Sequence, residues 1–312
     1  MDGTSCRPSR GVRLQADRAG RVALALLLAL AGFDTFVAHA QAPAPPTSTD
    51  SRLREESVQS AALGRTMRYR VLVPDGYGLS LRRYPVLVLL HGLTGDYRDW
   101  STRSNVAEHS RDIPLVIVMP DGENSWYTNS AGDAAAKFED YILNDLIQDV
   151  EKKYDVIRSS YGRAIAGLSM GGFGAIKLSL KRPRRFVVAA SFSGALPVAR
   201  DAEFGSSLGK EYQRLQQIFG PAGSETRKAN DLYALAAAMP SAQAPYIYVD
   251  CGTDDGLLAS NREFVDVLKK AGLAYEYHEY PGAHTWNYWD ARINEVLPLI
   301  MRKLEAAAAT GR

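Results

Sequence analysis

Five short apolar runs constrain this chain more than any other feature. Val86-Leu87-Val88-Leu89-Leu90 and Leu115-Val116-Ile117-Val118-Met119 are continuous, and residues 163–168, 186–192 and 245–250 repeat the pattern more weakly. A strand with one wet face alternates apolar and polar side chains, so a continuous run must be covered on both faces. Helical periodicity fills the intervals. Phe138, Tyr141, Ile142, Leu146 and Val150 fall on one face of 138–150. Phe264, Val267 and Leu268 do the same in 261–271, which stops at Gly272, and 294–306 forms a C-terminal helical stretch around Pro298. Strands alternating with helices predict an α/β fold, a mostly parallel central sheet with helices on both faces. Residues 58–60 and 67–73 flank Leu63-Gly64 and predict an opening antiparallel pair, and the alternating residues 275–280 predict a late strand. Residues 195–240 are broken by Gly205, Gly209, Gly220-Pro221 and Gly223. They read as a less regular excursion, where lids and substrate contacts tend to sit.

The amino-terminal segment reads as an address. Arg7, Arg10, Arg13, Arg18 and Arg21 precede an apolar run at 22–31, and Ala38-His39-Ala40 follows as a small-x-small cleavage site. The run falls short of the ~20 residues a membrane span needs. The expectation is a signal peptide over 1–40, a Pro-rich linker over 41–54 and one folded domain over 55–312, working in the periplasm or outside the cell. An uncleaved anchor is the alternative. Residues 1–40 hold five Arg and three Asp, which leaves 32 basic and 32 acidic side chains in the remainder. Such a balance offers no basic field, which argues against nucleic acid or an anionic lipid surface as partner. Only Cys251 remains beyond residue 40, following an apolar run, and it reads as a small core residue.

The chemistry begins at Gly167-Leu168-Ser169-Met170-Gly171, directly after Ala164-Ile165-Ala166. A serine on a sharp strand-to-helix turn is pushed out of the sheet with its hydroxyl exposed. It needs a base. His284, in Tyr280-Pro281-Gly282-Ala283-His284, follows a late strand and is the candidate, whereas His278 reads as a strand side chain and His91 as structural. The acid should lie between them in the chain, after the preceding strand. Asp250, Asp254 and Asp255 all qualify, and Asp255 is favoured because it closes a Gly-x-x-Asp turn. Two N–H donors for the oxyanion are expected from Met170 and from Leu93, in His91-Gly92-Leu93-Thr94-Gly95 after the run at 86–90. Aromatics near these loops include Trp100, Tyr288 and Trp289, and Trp126, Tyr127 and Trp286 are expected to touch substrate. The order Ser169, Asp255, His284 is that of α/β hydrolases.

At these residues the chain resembles the esterase family of α/β hydrolases that includes S-formylglutathione hydrolases, feruloyl and acetylxylan esterases, siderophore esterases and mycolyltransferases. The resemblance spans about residues 55–306 and also rests on Tyr69-Arg70-Val71-Leu72-Val73-Pro74, Met119-Pro120-Asp121-Gly122 and Gly252-Thr253-Asp254-Asp255. It implies the α/β-hydrolase fold and an acyl-serine mechanism run by Ser169, Asp255 and His284, with the Leu93 and Met170 amides as oxyanion hole and no metal or organic cofactor. His284-Thr285-Trp286-Asn287 departs from the His-Ser-Tyr-Tyr of S-formylglutathione hydrolases, and His91-Gly92 from the Asp-Gly of mycolyltransferases. The expected activity is therefore secreted carboxylesterase, of feruloyl, acetyl or short-chain acyl type. The expected substrate is a small-molecule or polymer-linked ester, with no nucleic-acid partner and no membrane span after cleavage. An acyltransferase acting on a sugar or lipid alcohol, or an inactive secreted binding protein of this fold, are the alternatives.

Overall fold

The structure, a computed structural model, describes residues 50–311. The expected signal peptide and most of the expected linker lie outside the described residues. Eight strands form one sheet: β1 (Leu53–Ser60), β2 (Arg65–Leu72), β3 (Val86–Leu90), β4 (Val116–Pro120), β5 (Arg163–Leu168), β6 (Val188–Phe192), β7 (Tyr246–Gly252) and β8 (Tyr275–Tyr280). Their spatial order is β1-β2-β4-β3-β5-β6-β7-β8. β1 pairs antiparallel with β2, and β2 antiparallel with β4; every later pairing is parallel. β1 begins inside the segment expected as linker, because the Arg52 guanidinium is buried against Asp50 and the Ala107 carbonyl.

The apolar runs are covered on both sides. Val86, Val88 and Leu90 face one layer, and Leu87 and Leu89 the other. Helices α1 (Met170–Lys181) and α2 (Leu258–Lys270) cover the first face through Phe173, Ile176, Phe264 and Leu268. Helix α3 (Trp286–Thr310) covers the second through Ile293, Leu297 and Ile300. Each such side chain contributes about 1.5–3 kcal/mol by leaving water. The expected helix at 138–150 runs to Lys153 and contains a π-helical segment, Tyr141–Leu146. The 195–240 excursion is more regular than expected, holding helices Lys210–Phe219, Glu225–Asn230 and Leu232–Ala238. Arg227 pins it, donating to the carbonyls of Gly220, Val198 and Ala199. Cys251 is fully buried, and burial pushes its thiol up, as suits a packing residue. Among the described residues no helix is long and apolar enough to cross a membrane.

Candidate active site

Parallel strands send their following loops to one edge of the sheet, and that edge holds most of the backbone strain. Among the described residues seven non-glycine residues have positive φ; six of them, Thr94, Glu123, Trp126, Tyr127, Ser169 and Ser193, lie in the loops after β3, β4, β5 and β6. Each such conformation costs of order 1–3 kcal/mol, and such strain collects at functional sites. Ser169 sits between β5 and α1 at φ 53° and ψ −115°. Its N–H donates to the Phe192 carbonyl at 2.9 Å, and its carbonyl accepts from Ala195 N at 3.2 Å. Gly171 allows the turn: a Cβ there would lie 2.5 Å from the Leu90 oxygen and 2.6 Å from that of His91. The start of α1 thus rests against the end of β3.

The loops after β7 and β8 bring the partners. Ser169 Oγ donates to His284 Nε2 at 2.9 Å, and His284 Nδ1 donates to Asp255 Oδ2 at 2.8 Å. The Asp255 side chain is wholly buried, while 27% of the His284 side chain is exposed. Asp255 Oδ1 accepts from the Leu257 N–H at 2.9 Å. Burial alone would raise the Asp255 carboxyl, but the hydrogen bond and charge of His284, together with the Leu257 N–H and the Ser193 hydroxyl, outweigh it and hold the group below its usual range. Thr253 N–H donates to Tyr280 O and Asp254 N–H to Gly282 O, both at 2.9 Å, which fastens the acid loop to the histidine loop. Gly252 permits this approach, since a Cβ would collide with the Gly282 carbonyl. Asp254 is left exposed. Asp250 faces Tyr288 OH at 3.0 Å, where burial pushes its carboxyl up to about 8. Of the three carboxyls weighed from the sequence, Asp255 is the one that meets His284. His109 and His278 lie elsewhere, bonded to Asp290 and Glu276.

Met170 heads α1, where N–H groups have no intrahelical acceptor and the helix dipole favours negative charge. Leu93 is half-buried in the turn Gly92–Gly95, closed by Gly95 N–H to Gly92 O at 3.2 Å. His91 braces this turn from below, with 1% exposure. Its Nδ1 donates to the Gly92 carbonyl and its Nε2 accepts from Gly122 N–H, both at 2.8 Å, a pair that only the ring protonated at Nδ1 can make. Tyr127 OH donates to the His91 carbonyl at 2.9 Å, and Trp100 Nε1 to that of Leu90 at 3.0 Å.

Two expected substrate contacts are corrected. Trp126 and Tyr127 occupy the centre of the turn 125–128, closed by Thr128 N–H to Ser125 O at 3.2 Å. Positive φ at both central residues makes it a type I′ turn, which carries both rings inward. Trp126 packs edge-on against Phe173, Phe204 and Phe219, and Tyr127 is fully buried. They support the site from within and do not line it. Trp286 is half-buried at the start of α3, edge-on to Trp100 and Trp289, and Trp289 stands edge-on to the His284 ring at 4.9 Å. Tyr127→Phe is expected to cost about 1–3 kcal/mol, because the buried His91 carbonyl loses its donor. Urea unfolding reads this, and an unchanged midpoint would contradict it.

Lys177 is a functional-site neighbour that no motif marks. It lies fully buried on α1, donating to the Tyr127 carbonyl at 2.5 Å and to Thr128 Oγ1 at 2.8 Å, with Glu139 at 3.4 Å. Burial pushes its amine down to about 7. The available signal was a lone cation inside the apolar helix 170–180, which the elbow motif overshadowed.

Residues 60–300 match the family described as "Putative esterase". The chain belongs to this esterase family. Similar proteins agree. The esterase is 30% identical over 212 residues to an acetyl esterase of Caldicellulosiruptor saccharolyticus, covering 66% of this chain and 79% of that one. It is 27% identical over 286 residues to the diacylglycerol acyltransferase/mycolyltransferase Ag85B of Mycobacterium leprae, covering 81% and 85%. Among solved structures it resembles FphF, a fluorophosphonate-binding serine hydrolase of Staphylococcus aureus determined with substrate bound. There the TM-score is 0.71 and the identity 25%, over 80% of this chain and 98% of that one. The esterase has the α/β-hydrolase fold and is a carboxylic ester hydrolase.

Proposed function

We infer that Ser169 is the nucleophile, His284 the base and Asp255 the group that orients it, in a carboxylesterase that forms an acyl-serine intermediate. The observation that carries the reading is the unbroken chain from Ser169 Oγ to His284 to Asp255, at 2.9 and 2.8 Å, across three separate loops. The hydroxyl proton passes to His284 Nε2 as Oγ bonds the ester carbon, and the carbonyl electron pair moves onto oxygen. The Leu93 and Met170 amides receive that oxyanion. The tetrahedral adduct expels the alcohol, which takes the proton from Nε2, and water repeats the sequence on the acyl-enzyme. Losing one oxyanion donor typically costs about 100- to 1000-fold in turnover.

The substrate reading is a feruloyl, acetyl or short-chain acyl ester, free or linked to a polymer. A cavity of about 450 Å³ adjoins Thr94 and Gly95 of the oxyanion turn, with polar walls at Asn124, Ser125, Asp133 and Arg214 and apolar ones at Phe138 and Ile218. Trp286 is the aromatic proposed to touch substrate. The basic and apolar segments at the amino terminus support export, with work in the periplasm or outside the cell. The likeness to Ag85B favours a second reading, acyl transfer to a sugar or lipid alcohol. Hydrolysis of a panel of acetyl, butyryl and feruloyl esters, with and without added alcohol, separates the two. Free acid as the main product is expected; a new ester as the main product would support the transferase and overturn the hydrolytic reading.

A further inference from the structure

The Leu93 N–H belongs to the Gly92–Leu93 peptide, whose other polar end is the Gly92 carbonyl. A trans peptide is planar and points its N–H and C=O in opposite directions, so whatever holds the carbonyl also aims the N–H. Gly92 has no Cβ to restrain the peptide that follows it. It has no room for one either: a Cβ there would lie 2.5 Å from Leu168 Cδ1 and 3.5 Å from Ser169 Cβ. That spacing puts Gly92 beside the nucleophile. Among the described residues the Leu93 N–H meets no acceptor. The Gly92 carbonyl meets two donors, His91 Nδ1 at 2.8 Å and Gly95 N–H at 3.2 Å. The longer bond closes the turn; the shorter one comes from a side chain.

That side chain is itself fixed. Gly122, in the loop after β4, donates its N–H to His91 Nε2 at 2.8 Å. Nε2 must then carry no proton, which leaves Nδ1 as the N–H of the ring. The Gly122 bond thus selects the tautomer that has a proton to give to the Gly92 carbonyl. The Tyr127 ring stands edge-on to the imidazole at 5.9 Å, and its hydroxyl holds the His91 carbonyl. A Cβ on Gly95 would lie 3.2 Å from Nδ1, so the far end of the turn rests against the ring. At 1% exposure His91 is beneath the site and out of reach of substrate.

We propose that His91 is a positioning residue: its Nδ1–H draws the Gly92 carbonyl inward and so turns the Leu93 N–H outward, toward the oxyanion that forms at Ser169. The proposal rests on the oxyanion hole assigned above. Without this donor the peptide swings about its glycine and the Leu93 N–H loses its aim. The bond acts on the tetrahedral species and leaves ground-state binding alone, so its loss falls on kcat and not on KM.

Two substitutions separate the two bonds of the ring. His91→Gln sets an amide oxygen near the place of Nε2; it keeps an acceptor for Gly122 and gives up the donor to Gly92. His91→Asn sets an amide NH₂ near the place of Nδ1; it keeps the donor to Gly92 and gives up the acceptor. Each loses one buried hydrogen bond, so both should unfold at lower urea than the parent. The assays use p-nitrophenyl acetate and a trifluoromethyl ketone, whose hemiketal carries the same oxyanion. His91→Gln is expected to lower kcat about 10- to 100-fold with KM within about twofold, and to weaken the ketone by a similar factor. His91→Asn is expected to stay within about fivefold of the parent in both, because the aiming bond remains. A kcat for His91→Asn no higher than for His91→Gln, a loss confined to KM, or no loss in His91→Gln would overturn the proposal. A measurement on the parent enzyme needs no variant to fold: ¹⁵N spectra at about pH 8 should show His91 protonated at Nδ1 and bare at Nε2, and a proton on Nε2 would overturn the proposal equally. Failure of the underlying reading looks different: the ketone would then bind the parent enzyme no better than it binds Ser169→Ala.

Discussion

Ser169→Ala is expected to lower kcat for p-nitrophenyl acetate by about 10⁴- to 10⁶-fold. The substitution removes the atom that bonds the acyl carbon and leaves His284 with nothing to deprotonate. It leaves the fold alone. The turn at φ 53° is held by backbone bonds to Phe192 and Ala195, which alanine keeps, and by Gly171 packing on Leu90 and His91. Thermal unfolding of the variant within a few degrees of the parent, with far-ultraviolet circular dichroism unchanged, makes the kinetic loss a statement about chemistry. Activity within tenfold of the parent would remove Ser169 from the role of nucleophile.

Asp255→Asn is expected to cost about 10³- to 10⁴-fold, and Asp254→Asn less than about threefold. Both Asp255 oxygens are committed, Oδ1 to Leu257 N–H and Oδ2 to His284 Nδ1. An amide has one acceptor for these two donors. If its oxygen stays on Leu257, its NH₂ faces His284 Nδ1 and forces the imidazole proton onto Nε2, where the ring can no longer take a proton from Ser169. Asp254 is exposed, and its backbone N–H donates to the Gly282 carbonyl whatever its side chain. The sign of the pH effect follows from the carboxyl being held below its usual value of 3.8. A depressed folded value stabilises the protein above 3.8, and that contribution fades as pH falls through the lower folded value. Asp255→Asn should therefore flatten the acid side of the stability curve below about pH 4. A larger kinetic loss for Asp254→Asn than for Asp255→Asn would reassign the acid.

The strands were legible because burial on both faces leaves no room for polar residues. Residues 163–168 coincide with β5 and residues 86–90 with β3. The loop order that puts Ser169, Asp255 and His284 at one edge follows from parallel strands, so motif order points to Ser169 and His284 but leaves Asp250, Asp254 and Asp255 open, and the fastening of the acid loop to the histidine loop singles out Asp255. The rings of Trp126 and Tyr127 could not be placed that way. Their direction depends on the hand of the 125–128 turn, which type I′ geometry sets against the usual preference for Gly or Asn. Helix α3 begins at Trp286, well before the apolar period at 294–306, because its first turn packs aromatic rings against His284 and Trp100. Lys177 was hidden because it bonds Thr128, 49 positions away, and neither motif nor period reports such a contact.

The most direct measurement is covalent labelling with a fluorophosphonate, followed by peptide mass mapping of the parent enzyme and of Ser169→Ala. One phosphonyl group per chain is expected on the peptide holding Ser169, with loss of hydrolysis in step with labelling and no label on Ser169→Ala. A label on another residue, or full activity in an enzyme fully labelled at Ser169, would contradict Ser169 as the nucleophile.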